Sequence, residues 1–244
     1  MRTLRRRSGA GADTQSLEDQ HRRIAWQSAS LLLDYPEDDL LERLDLVRRS
    51  CAALPPRLAE PLRATIAELA STSLGDLQAS YVETFDTRRR SALFLTYFAH
   101  GDTRKRGMAL LRFAQTYAES GHVLDAKELP DHLCVVLEYG ATVDLAAAHR
   151  LLCDHRAGLE LLRRALVEEG SRWAGAAEAV CACLPALRGD EVAAVAALAA
   201  QGPPEEEVGL TPYGGPAFDA GPARPGPATR AQPVDLPMPA RRGA

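Results

Sequence analysis

Aromatic residues are scarce in this 244-residue sequence: Phe, Trp and Tyr make up 5% of it, with two Trp in all. Cysteine occurs five times, at Cys51, Cys134, Cys153, Cys181 and Cys183. An odd number at irregular spacing excludes a disulfide framework and reads as reduced thiols. No stretch approaches the roughly 18 uninterrupted apolar residues of a membrane span. The "RRR" at Arg5–Arg7 is followed by polar residues where a secretory leader needs an apolar run, so the sequence predicts a soluble, cytoplasmic protein without direct membrane insertion. Positive charge is not in excess either: 29 Lys and Arg stand against 33 Asp and Glu, a net charge of -4. That excludes the domain-wide basic field of a dedicated nucleic-acid binder. Phosphate-binding glycine loops and the G-x-S-x-G elbow are missing, and no catalytic set is nominated.

A metal site is the remaining chemical candidate. His149 and Cys153 would share a helical face, but His155 turns about 200° away from Cys153. Cys181-Ala-Cys183 lacks the usual zinc-ligand spacing. No metal is assigned, and the thiols are read as buried or half-buried side chains.

What is present is helical. Leu, Ala, Arg and Glu dominate, and apolar residues recur at three-and-four spacing. Leu17, Ile24, Leu31 and Tyr35 mark a first helix ending before Pro36, and Pro36 through Cys51 a second. Leu58 to Leu69 mark a third, and Ser73 caps a fourth through Leu77, Tyr81 and Phe85. A short helix follows around Leu93–Ala99, then a break at Gly101 and a long helix opened by Asp102. Its stripe is Leu110, Phe113, Ala114, Tyr117 and Ala118. Pro130 opens another helix, and "LAAAHRLLCDHRAGLELLRRALVEEG", "WAGAAEAVCACLPAL" and "DEVAAVAALAA" supply three more. The expectation is an all-α, single-domain bundle of about eight to ten helices over residues 16–201. Residues 1–15 read as a flexible polar arm, and the Pro- and Gly-rich stretch 202–244 as a disordered tail.

The few aromatics concentrate in "FDTRRRSALFLTYFAHGDTRKRG", Phe85–Gly107, where two basic triplets bracket Phe94, Tyr97 and Phe98. Arg104, Lys105 and Arg106 would occupy the positive end of a helix dipole, each unfavourable by about 0.3–1 kcal/mol when unscreened. Such local conflict marks candidate functional sites. Arg106 is in line with the apolar stripe, at the core margin, and could hold a carboxylate or a partner's carbonyl. "ELPDHL", Glu128–Leu133, has the same character: Pro130 and Asp131 suit a helix N-terminus and His132 does not.

Three blocks, "WQSASLLLDYP", "YVETFDTRRRSALFLTYFAHGDTRKRGMALL" and "ELPDHLCVVLEYGA", closely resemble the nitrate reductase molybdenum-cofactor assembly chaperones, or delta subunits. These are a branch of the all-helical, TorD-like redox-enzyme maturation chaperones. The resemblance implies a cytoplasmic, non-catalytic helper without a cofactor of its own. Its partner would be the apo catalytic subunit of a respiratory nitrate reductase, held by its N-terminal segment. Molybdenum cofactor could then be inserted, and membrane docking would be delayed until it is. Tyr81 and Phe85 match the family's Y-x-x-x-F element, and Glu128, Pro130, Asp131 and His132 its E-x-P-D-H element, associated with client-peptide recognition. The expected client site therefore comprises Tyr81, Phe85, Leu93, Phe94, Tyr97, Phe98, Arg104, Arg106, Glu128, Asp131 and His132, an apolar groove with a charged rim. The alternative is a helical nucleic-acid-binding or regulatory protein using the basic clusters 88–90 and 104–106, whose affinity would fall steeply with salt.

Overall fold

The computed structural model describes residues 10–101, 103–125 and 128–201, and over them the chain is all-α. The described residues form eleven α-helices. The described residues contain no β-strand, only an isolated antiparallel bridge between Phe94 and His132. One helix more than expected arises because the run around His155 is broken. His155 leaves helical geometry (φ -110°, ψ 22°), and its ring Nδ1 lies 2.8 Å from the Leu151 carbonyl, to which its backbone N–H also donates at 3.3 Å. The single helix read across that stretch is therefore α8 (Leu145–Asp154) and α9 (Arg156–Glu168).

The spine is α1 (Ala10–Leu33), against which α2 (Leu40–Ser50), α3 (Pro56–Ala70), α7 (Leu133–Thr142) and α10 (Ala174–Ala182) all pack. Its buried face is Ala25, Trp26, Ala29, Leu32 and Leu33, not the stripe the spacing suggested. Leu17 is 51% and Tyr35 37% exposed. A helix ringed by neighbours buries a wide sector, and three-and-four spacing alone does not single out that sector. Gly140 lets α7 approach closely, since a Cβ there would stand 2.7 Å from the Trp26 ring. Arg23 then donates to the Gly140 and Ala141 carbonyls at 3.2 and 2.8 Å, satisfying the frayed end of α7.

Ser73 opens α4 (Leu74–Tyr81) as expected, its hydroxyl accepting from the Asp76 N–H. α4 runs into a π-helical turn, Val82–Asp86, and the Tyr81 and Phe85 rings pack with each other at 4.6 Å and with Trp173 at 5.5 and 5.2 Å. Helix starts differ from the expectation at three prolines or acids. α2 begins at Leu40, leaving Pro36 in the connection, where its carbonyl takes a hydrogen bond from Gln78. α7 begins at Leu133, three residues after Pro130. α6 (Arg104–Glu119) has Thr103 at its N-cap position, while Asp102 lies outside the described residues. At the N-terminus α1 reaches back to Ala10, into the stretch read as an arm; residues 1–9 and the tail 202–244 lie outside the described residues. No helix among the described residues is long and apolar enough to cross a membrane.

Candidate binding site at the α5–α7 junction

α5 (Leu95–His100) and α6 form a hairpin broken at Gly101, whose φ of 56° favours glycine. α5 has only six residues, and its N-terminus is held from outside. Leu95 N–H donates to the Asp131 carbonyl (3.0 Å) and Leu133 N–H to the Leu93 carbonyl (2.8 Å), which pairs Phe94 with His132. The Asp131 carboxylate then receives the Thr96 N–H (3.1 Å) and the Thr96 hydroxyl (2.5 Å) on Oδ2. Asp131 is 0% exposed, so a fully buried carboxylate caps α5 across a sequence separation of 35 residues. This corrects the reading of "ELPDHL". Asp131 serves α5 instead of its own helix, and the bridge it makes there holds residues 130–132 out of α7.

Arg106 closes the site from α6. Its Nε donates to Thr96 Oγ1 (3.2 Å), Nη2 stands 3.7 Å from Asp131 Oδ2, and its guanidinium carbon lies 5.3 and 5.8 Å from the Phe94 and Tyr97 ring centroids. A cation in the first turn of a helix is thus offset by a buried carboxylate and two ring faces, each cation–π contact being worth about 0.5–2 kcal/mol. Phe94, Tyr97 and His132 are half-buried, with the Phe94 and His132 rings edge-on at 5.2 Å. Together with Arg106 they form the accessible part of the cluster.

The other expected residues are placed differently. Tyr81, Phe85, Leu93 and Phe98 are buried in the core, and Phe98 rests on Gly158 of α9. Arg104 is exposed on the first turn of α6. Glu128, also exposed, lines a separate shallow cavity of about 240 Å³ with Tyr117, Val135 and Tyr139. The first basic triplet is engaged elsewhere: Arg88 pairs with Glu83 and Glu169, and Arg90 donates to the Ala199 carbonyl of α11 (Gly189–Gln201) at 2.9 Å. Two contributors were missed from the sequence. Thr96 joins Asp131 to Arg106, and Tyr117 donates its hydroxyl to the Pro130 carbonyl at 2.6 Å, fixing the turn. Only Tyr117 carried a signal, its place on the α6 stripe.

The five thiols are free, and burial pushes each of them up, Cys183 to about 12, so little thiolate exists near neutrality. Cys153 Sγ lies 3.7 Å from His149 Nδ1, but no group of three or more His, Cys, Asp or Glu among the described residues could hold a metal ion.

Burial lowers the pKa of His132, against the pull of Asp34 and Asp131, and that of His155, against the Leu151 carbonyl, Asp154 and Asp131. Both are reluctant to charge in the fold, whereas the unfolded chain takes up protons near the usual histidine value of about 6.5. Stability present above that value is therefore lost as pH falls through the window beneath it. The urea midpoint is expected to drop between about pH 7.5 and about 5.5, and to drop less in His155→Gln. An identical slope in that variant would contradict the assignment.

Residues 51–178, just over half of the chain, match the family described as nitrate reductase delta subunit. The chain belongs to the nitrate reductase delta subunit family. All eleven residues of the expected client site fall inside the span that defines its membership. Nitrate reductase-like protein NarX of Mycobacterium tuberculosis is 40% identical over 158 residues, 65% of this chain and 24% of NarX, so the chain spans about a quarter of that relative. The probable nitrate reductase molybdenum cofactor assembly chaperone NarJ of Bacillus subtilis is 31% identical over 63% of this chain and 84% of its own length. The nitrate reductase molybdenum cofactor assembly chaperone NarJ of Escherichia coli is 35% identical over 59% and 63%. These two relatives of the delta subunit family are named as assembly chaperones and not as catalysts.

Proposed function

We propose that this protein is a cytoplasmic, system-specific chaperone for the catalytic subunit of a respiratory nitrate reductase. It binds the apo form, including its N-terminal segment, allows molybdenum cofactor insertion and delays membrane docking until assembly is complete. The observation that carries this reading is the family membership, whose matched span contains the whole α5–α7 junction. The geometry supports it: Phe94, Tyr97 and His132 offer half-buried rings to the apolar face of a helical peptide, and Arg104 and Arg106 give the rim its sign. Leu93 and Phe98 support that surface from the core, Tyr81 and Phe85 pack on Trp173, the buried Asp131 fixes the two segments of chain, and Glu128 lines the neighbouring cavity. The nucleic-acid alternative is weakened by Arg88 and Arg90, which are already committed to Glu83, Glu169 and Ala199.

Isothermal titration of the protein with a synthetic peptide of the client's N-terminal segment tests the reading. Phe94→Ala with Tyr97→Ala should weaken binding by about thirtyfold, the loss of roughly 2 kcal/mol for aromatic anchors, at unchanged helicity. No heat beyond that of a scrambled peptide would sink it.

A further inference from the structure

α11 is fastened by a narrow stripe. Of its thirteen residues only Val195 is buried; Glu191, Leu198 and Ala199 on the same face are half-buried, and the rest of the helix is exposed. It packs along α9, and its last turn is held by the Arg90 hydrogen bond to the Ala199 carbonyl. One buried valine, the half-buried Leu198 and Ala199 and one charged hydrogen bond are a small hold against the cost of ordering thirteen residues.

The surface beneath it is better built than its occupant. α9 buries Leu159, Leu162 and Leu166 on one face and Gly158, Leu161 and Ala165 on another. Among the described residues, Ala165 and Val195 are the two buried apolar residues outside the central core, and both belong to this helix pair. At its near end the strip meets α5, because Gly158 admits Phe98: a Cβ there would stand 2.6 Å from the Phe98 Cβ. At its far end stands Arg90, only four residues before Phe94, so the two backbones are within about 14 Å of each other. A helix of thirteen residues is about 20 Å long. A helical peptide of that length with one end on Phe94 and Tyr97 would therefore reach the seat of α11 and extend as far as Arg90.

We infer that the α9 strip is the distal part of the client groove, and that α11 is an internal stand-in which the client's N-terminal helix displaces. α11 has the chemistry such a ligand needs: an apolar stripe of Val195, Leu198 and Ala199 at i, i+3, i+4 spacing and a last-turn carbonyl for Arg90. The inference rests on the peptide-binding reading above. A groove covered nine-tenths of the time weakens its ligand roughly tenfold.

Val195→Asp places a charge on the inner face of α11 without altering the groove. In the full chain it is expected to tighten the titrated affinity for the client's N-terminal peptide by about tenfold. Equal affinity in the wild type and the variant overturns the displacement and leaves peptide binding standing, whereas no heat from either overturns both. Hydrogen exchange of the wild-type chain covers the case in which the variant does not fold. Added peptide should speed exchange of the α11 amides, and unchanged or slower exchange there overturns the inference.

Discussion

Replacing Asp131 with Ala is expected to lower the stability of the protein by about 3 kcal/mol, read as a fall in the urea midpoint at constant slope. The carboxylate is 0% exposed and receives the Thr96 N–H, the Thr96 hydroxyl and the charge of Arg106. Truncation leaves a buried backbone donor without an acceptor and a largely buried guanidinium without its counter-charge. Removing one partner of a fully buried pair costs about 3–5 kcal/mol, and the lower end applies because the Arg106 side chain keeps 16% of its exposure. One term works in the opposite direction: Oδ1 is buried and accepts no hydrogen bond among the described residues, so its desolvation is relieved. Asp131→Asn separates the two contributions. Its amide oxygen still accepts from Thr96 and only the charge is lost, so about half the cost is expected. A loss below about 1 kcal/mol in the Ala variant would show that α5 does not depend on this cap.

Gly175→Ala is expected to cost about 3 kcal/mol as well, by a different route. Gly175 begins the face on which α10 crosses α3. A Cβ would stand 2.1 Å from the Pro61 carbonyl oxygen and 2.9 Å from Thr65 Oγ1. The first of these neighbours is backbone and cannot swing aside, so the helices must separate. Separation stretches the 3.1 Å bond from the Ala176 N–H to Thr65 Oγ1 and the 3.1 Å bond from Arg57 to the Ala182 carbonyl. Overpacking of this kind usually costs about 1–3 kcal/mol, and contact with a rigid carbonyl puts this site at the upper end. Gly107→Ala is the matched control: it lies in α6 with nothing within 4 Å of the added carbon. Helix propensity alone predicts a gain of up to about 1 kcal/mol there. Thermal melting of the two variants should move in opposite directions, and a shared direction would refute the packing argument.

The helices were legible because each carries its own signal. Leucines at three-and-four spacing mark α2, α3 and α9, a serine cap marks α4, and a glycine ends α5. What was not legible depends on partners distant in sequence. Nothing around Asp131 says that its carboxylate will cap a helix thirty-five residues upstream, so Pro130 and Asp131 were read as the start of the helix they precede. Trp26 was passed over because burial on α1 follows from four neighbouring helices and not from its own periodicity. Tyr81 and Phe85 match the family's Y-x-x-x-F element, and that their rings would pack on Trp173, about ninety residues on, is not legible from the motif. In the candidate site, the dipole conflict pointed to Arg106, and the structure supplies its resolution in Asp131, Phe94 and Tyr97. Arg104 shares the conflict, but helical spacing sets Arg106 in line with the apolar stripe and Arg104 about 200° further round, and the structure has Arg106 half-buried and Arg104 exposed.

The cap on α5 also bears on the order in which the protein is made. Six residues are too few to hold a helix in water, so α5 acquires its fixed shape only when Asp131 and Leu133 are available to pair with it. A chain emerging from the ribosome completes α1 to α4 well before that point, and with them part of the hydrophobic core. The surface carrying Phe94 and Tyr97 comes into being only after the turn at Pro130 has been synthesised. Until then the half-made protein lacks that surface, however much of its core has already formed.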